Sequence, residues 1–255
     1  MKTNLFSGTR NSWTMVKRSI KHDLRSVDAL AMSIILPVML LVLFTTIFGG
    51  AINTGTDYIN YVVPGVFMVC LSFGTAGTAV SVCDDNMKGI IDRFRSMPVN
   101  SASVLTGHVV ASMIRNTFAM IVVSLLAVAL GFRPEATPLE WLGVFGILWL
   151  LMLALTWAAA AFGLFVKNVE AAGSFMFTTM LFPYLSSSFV LISTLPDWLE
   201  GFAREQPINH AVEAIRALLL NGSVGDHAWI TAVWCLGITA VMYVISRILF
   251  QRQAA

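Results

Sequence analysis

Charge is scarce in this sequence. Asp, Glu, Lys and Arg make up 12% of the 255 residues, about half the share of an ordinary soluble domain. Hydrophobic residues reach 57% and the mean hydropathy is +0.77, so the chain is better counted in membrane spans than in soluble domains. Cysteine is equally thin. Cys70, Cys83 and Cys235 lie far apart in or beside apolar runs, without metal-ligand spacing, and read as small buried hydrophobes. No Gly-x4-Gly-Lys-Ser/Thr loop is present to cradle nucleotide phosphates. His-Glu-x-x-His, Gly-x-Ser-x-Gly and paired intramembrane aspartates are also missing, so no catalytic group is nominated. The four histidines, His22, His108, His210 and His227, are scattered and read as structural, not as metal ligands. Nothing in the charge distribution suggests nucleic-acid binding. A proton-driven antiporter would be expected to carry an intramembrane carboxylate, and none is evident. The charge that does fall in a span is Arg115, placed close enough to one end for its stem to snorkel to the interface.

What is present is a series of six apolar stretches, each near the ~20 residues a spanning helix needs: 29–48, 59–82, 112–132, 141–166, 171–192 and 228–249. Six spans put both termini on one side. Twelve Lys and Arg residues flank the spans on the side of the termini and three on the other, which places the termini in the cytoplasm. The expected fold is therefore an all-α integral membrane protein.

Three polar segments do not span. In residues 1–28, Trp13, Val16, Ile20, Leu24 and Val27 recur at helical spacing, while Lys17, Arg18, Lys21, His22 and Arg25 occupy other faces. This predicts an amphipathic helix on the inner leaflet, an anchor that also suits contact with a cytoplasmic partner. The longest cytoplasmic connection, 83–103, alternates the charges of Asp84, Asp85, Lys88, Asp92, Arg93 and Arg95 with an apolar side of Ile90, Ile91, Phe94 and Met97, punctuated by Gly89 and Pro98. A passive loop has no need of that side, and the pattern predicts a docking segment. The third segment, 195–222, lies outside. There Pro196 can open a short helix carrying Trp198, Leu199 and Phe202, Gln206 and Pro207 break it, and a second helix follows with Asn209 as its cap. Ile208, Val212, Ile215 and Leu219 share one face of that helix, Glu213 and Arg216 pair on another, and Gly222 can close its end. Two capped helices in series predict a hairpin dipping into the outer leaflet, with a pair lying flat on the surface as the competing arrangement.

The stretches MKGIIDRFRSMPVNSASVLTGHVVASMIRN, NVEAAGSFMFTTMLFPYLSSSFV and LPDWLEGFAREQPINHAVEAIRALLLNG, in this order and spacing, resemble the membrane subunits of type-two ABC exporters, and among them the daunorubicin-resistance branch. The resemblance covers roughly residues 10–250. It implies a six-span permease domain over 29–250 with a short cytoplasmic tail, 251–255, in a bacterial plasma membrane. It also implies pairing with a second copy or a paralogue, and two separate ATPase subunits that hold ATP and Mg, so that this chain binds no cofactor and is not itself an enzyme. Contact with the ATPases would fall on Asp84, Asp85, Gly89, Arg93, Phe94, Arg95 and Pro98, with Lys17 and Lys21 of the N-terminal helix. Many relatives carry a glutamate ahead of the glycine where this chain has the two aspartates. The external hairpin would close an outer gate through Pro207, Asn209, Glu213 and Arg216. The cargo implied is hydrophobic or amphipathic: a drug, an antibiotic or a lipid-like molecule. A stand-alone carrier or membrane scaffold without an ATPase is the alternative. The abundant Met, Phe and Trp suit an adaptable apolar pathway and lipid-facing filler equally, so no substrate pocket is nominated.

Overall fold

A chain this apolar must pair its backbone within each segment, and among the described residues every regular element is a helix. The computed structural model describes residues 27–49, 57–90 and 101–252. Helix α1 is Val27–Leu43, continued by a π-turn at Phe44–Phe48. Helices α2 (Tyr58–Met87), α3 (Ser101–Ala129) and α4 (Pro138–Phe165) follow. Two short helices, α5 (Val169–Gly173) and α6 (Phe175–Tyr184), lead into a non-helical turn. Then come the pair α7 (Asp197–Glu205) and α8 (Pro207–Leu219), and finally α9 (His227–Arg252). Four helices among the described residues, α2, α3, α4 and α9, are long and apolar enough to cross a membrane.

Helix α2 is the axis of the bundle and packs against α1, α3, α4, α5, α6 and α8. Small residues make this possible. Ala76, Ala79 and Cys83 of α2 meet Ala159 of α4 and Ala172 of α5 in one buried cluster, and close backbone approach of this kind is what joins helices when lipid offers no hydrophobic drive. One end of the bundle gathers the start of α2, the α3–α4 connection, the α7–α8 pair and the start of α9. There the Arg133 amide donates to Asn60 Oδ1 at 3.1 Å, the Glu135 amide to the Leu219 carbonyl at 3.0 Å, and Asn221 Nδ2 to the Glu135 carbonyl at 3.3 Å. Helix α4 starts at the same end on a capping box, Thr137 with Glu140.

Two expectations change here. The stretch 171–192 is not one helix: Ser174 separates α5 from α6, and α6 stops at Tyr184, one residue past Pro183. The chain then turns through 185–190 without regular hydrogen bonding, because side chains from elsewhere satisfy its backbone. Helix α3 starts at Ser101, well before the expected 112, so Arg115 lies at mid-helix instead of near an end. It does not snorkel. It is 8% exposed, and its Nη2 donates to the Gly74 carbonyl of α2 at 2.8 Å, with Thr78 Oγ1 and Ser112 Oγ each at 3.4 Å. Cys70, Cys83 and Cys235 are free and buried, as their apolar settings suggest.

Candidate functional site: a serine turn clasped by α2 and α8

Ser186, Ser187 and Ser188 follow α6 in a turn buried inside an otherwise apolar molecule. A non-helical backbone in such a place needs partners for its N–H and C=O groups, since an orphaned one costs several kcal/mol in an apolar medium (about 4–8 on a cyclohexane reference). The partners arrive from two directions. From the start of α2, Tyr58 donates its hydroxyl to the Phe189 carbonyl at 2.9 Å and Tyr61 to the Val190 carbonyl at 3.1 Å. From the break before α8, Gln206 Nε2 donates to the carbonyls of Phe182, at 3.0 Å, and of Leu185. Ser186 Oγ supplies a local bond to the Pro183 carbonyl at 2.7 Å and receives the Ser188 amide at 3.2 Å. Phe189 is stacked on Phe44 of the π-turn, with centroids 4.6 Å apart, and on Tyr184 at 5.0 Å.

Arg216 is the centre of the clasp. Its side chain is 10% exposed, and Nη2 donates to the Ser187 carbonyl at 2.6 Å and to the Tyr61 carbonyl at 3.3 Å. Nη1 reaches Ser187 Oγ at 3.3 Å and Glu213 Oε1 at 2.7 Å, and the guanidinium lies over the Tyr61 ring at 3.8 Å. A planar fork with five donors can serve acceptors on three elements at once, which a lysine cannot. The ring contact adds a cation–π attraction of about 2 kcal/mol when desolvated.

Of the four residues expected at an outer gate, Asn209 and Arg216 bond to the serine turn, Glu213 pairs with Arg216, and Pro207 opens the helix that carries them. Pro207 opens α8 at its first position, where a missing N–H costs nothing. Asn209 does not cap the helix. Gln206 precedes α8 in the extended conformation that a following proline imposes, leaving Asn209 inside the first turn, where its Oδ1 receives the Ser187 amide at 3.0 Å and its Nδ2 donates to the Arg204 carbonyl at 3.1 Å. Glu213 and Arg216 pair as expected, but the arginine is buried and not on an open face. Ile208, Val212, Ile215 and Leu219 do share the buried face. At the far end Asn221, not Gly222, takes the positive φ of 52°, and the Gly222 amide closes the helix on the Ala217 carbonyl at 2.8 Å. Sequence reasoning missed Tyr58, Tyr61, Gln206 and the three serines. Three consecutive serines closing an apolar run are the signal that could have raised them.

At the opposite end of α2, Asp84 holds Lys88 one turn on, at 2.6 Å. Asp85 instead turns inward, 3.3 Å from His108 Nε2 on α3, with both side chains nearly buried. Gly89 ends the helix with φ +64°, a conformation that costs other residues a steric penalty. Arg93, Phe94, Arg95 and Pro98, and Lys17 and Lys21 of the expected N-terminal helix, lie outside the described residues. No group of three or more His, Cys, Asp or Glu side chains that could hold a metal occurs among the described residues.

Comparison with known proteins adds an independent line. Residues 10–220 match the family described as ABC-2 type transporter. The chain is 28% identical over 235 residues, 88% of its own length and 83% of the relative's, to a protein of Streptomyces coeruleorubidus named as a daunorubicin resistance ABC transporter permease. It is 25% identical over 225 residues, covering 86% of this chain and 80% of the relative, to a probable doxorubicin resistance ABC transporter permease of Mycobacterium tuberculosis. A probable multidrug ABC transporter permease of Escherichia coli is 24% identical over 208 residues, 79% of this chain and 55% of the relative.

Proposed function

We propose a function from one premise: the chain belongs to the ABC-2 type transporter family. It is the membrane permease of an exporter whose ATPases are separate chains, and it moves a hydrophobic or amphipathic molecule, of the drug or antibiotic class, out of the cell. Support for that cargo class comes from the drug-resistance names of its relatives. Two ATPase subunits and a second permease complete the machine. The chain crosses the membrane six times with both termini inside, the described stretches from α1 and from α5–α6 supplying the two spans beyond the four long helices. The N-terminal segment lies along the inner leaflet, and α7–α8 form a re-entrant hairpin at the outer face. The observation that carries the mechanism is the clasp on the serine turn. It ties the hairpin to α2, and α2 runs to the cytoplasmic segment where an ATPase docks. Closure of the ATPases would move that segment with the end of α2, and displacement of α2 at its other end would alter the bonds that Tyr58, Tyr61 and Arg216 make with the turn.

Two outcomes test this reading. The first concerns orientation. All three native cysteines are buried, so background labelling is low. Ser223→Cys, at the hairpin end, is expected to react with an impermeant thiol reagent added to intact cells, and Lys88→Cys only after permeabilisation. The reverse pattern would invert the topology. The second concerns the partner. Charge-reversing Arg93 and Arg95 to glutamate is expected to cut ATPase co-purification, or to leave ATP hydrolysis running without export, while membrane insertion is unchanged. Full export with normal ATPase binding would show that energy enters elsewhere or that the chain works as a carrier on its own.

A further inference from the structure

By spacing alone His210 and His227 are unrelated structural residues, but folding brings them together. His210 is in the first turns of α8 and is 6% exposed, whereas His227 is half-buried at the first position of α9. Their rings lie 5.1 Å apart between centroids, and the two Nδ1 atoms face each other at 2.9 Å. That distance is a hydrogen bond, and a bond between two Nδ1 atoms holds one proton: one ring donates N–H and the other offers its lone pair.

We propose that His210 and His227 form a proton-sharing latch that fastens the hairpin to the last helix and opens in acid. The chemistry sets three states. With both rings neutral, one Nδ1–H donates to the other Nδ1. One added proton, taken at Nε2 of the donor ring, leaves that bond in place and makes it charge-assisted. A second added proton occupies the remaining Nδ1 lone pair, so the bond is lost and two imidazolium ions face each other. The surroundings favour opening. Burial, and next the charge of His227, hold His210 below the ordinary imidazole value of 6.5, while the Glu205 carboxylate from the end of α7 opposes them. The exposed Asp226 lies one residue before His227. Of the other charges on α8, Glu213 and Arg216 are taken up by each other, with Arg216 also engaged by Ser187 and Tyr61. Because the folded value of His210 is depressed, the unfolded chain takes up its proton first. The contribution that His210 makes to stability is therefore complete above the ordinary value and falls as pH drops below it. The location of the latch at an external hairpin rests on the proposed topology; the latch itself does not.

The test is thermal melting of the full-length chain in nanodiscs across the range from about pH 8 to about pH 5, for the unmodified protein, His227→Gln and His210→Gln. Glutamine keeps a donor and an acceptor but takes up no proton. The unmodified protein is expected to hold its melting temperature down to the ordinary histidine value and then lose about 3 °C or more, with at least half of that loss absent in either variant. A constant offset between curves of the same slope would make the pair merely structural and overturn the proposal, as would an unmodified protein that is flat across the range. Should His210→Gln fail to fold, His227→Gln at the half-buried helix start carries the test. Melting needs no cargo and no ATPase, so failure of the latch and failure of the exporter reading are separate results.

Discussion

Replacing Arg216 with methionine is expected to be the most damaging single change in α8. Methionine keeps the length and the apolar packing but removes every donor, so the Ser187 carbonyl and the Glu213 carboxylate lose their shared partner at once. Removing one member of a buried charged network costs about 3–5 kcal/mol, a large part of the stability of most domains. Lysine should not rescue it, because a compact ammonium cannot reach Ser187, Tyr61 and Glu213 together. Glu213→Ala is milder, about 1 kcal/mol, since its carboxylate is partly exposed and Arg216 keeps its other acceptors. The double variant should lose less than the sum of the two. The measurements are melting temperature in detergent and export from cells at matched expression. An Arg216→Met protein that melts and exports normally would remove the clasp from any account of this molecule.

Gly65→Ala should be nearly as severe, and its sign is what makes it informative. A β-carbon at Gly65 would lie 2.6 Å from Ser188 Cβ and 2.7 Å from the Ser188 carbonyl oxygen. No rotamer change relieves a clash with backbone, so the turn must move off α2, and overpacking of this kind typically costs about 1–3 kcal/mol. Movement would also stretch the tyrosine bonds to Phe189 and Val190. Gly146, on an exposed flank of α4, would meet nothing within 4 Å of an added β-carbon, and alanine there should gain up to about 1 kcal/mol of helix propensity. Opposite signs for two identical substitutions would locate the tight contact. A raised melting temperature in both would mean that the turn does not press on α2.

What the sequence makes legible is local. The buried face of α8, the break at Gln206 and Pro207, and the pairing of Glu213 with Arg216 all follow from spacings within one or two turns, where periodicity and capping chemistry act. What stays hidden depends on partners far along the chain. Arg115 reads as a residue near a helix end because the start of α3 is masked by polar residues, and the depth of the charge is masked with it. Asn209 is a good capping residue by type, but Pro207 starts the helix two residues earlier and leaves the Asn209 side chain free for Ser187. The stretch from 171 to 192 is apolar enough to span, and Tyr58, Tyr61, Gln206, Asn209 and Arg216, drawn in from both sides, explain why its end can stop being helical inside the bundle.

That arrangement bears on how the molecule is made. The turn bonds back to tyrosines 131 and 129 positions earlier and forward to Arg216, 29 positions later. While the chain emerges, the stretch after Tyr184 is released before Gln206 and Arg216, which satisfy the carbonyls of Leu185 and Ser187, exist, and contacts of long sequence separation, such as those to the tyrosines, form slowly. The serine turn therefore waits in an unfinished state until α8 has been synthesised and folded against α2. A chain stopped short of Arg216 would hold its earlier helices in the membrane yet expose an unsealed polar backbone, the kind of half-built surface on which quality-control proteases and chaperones act.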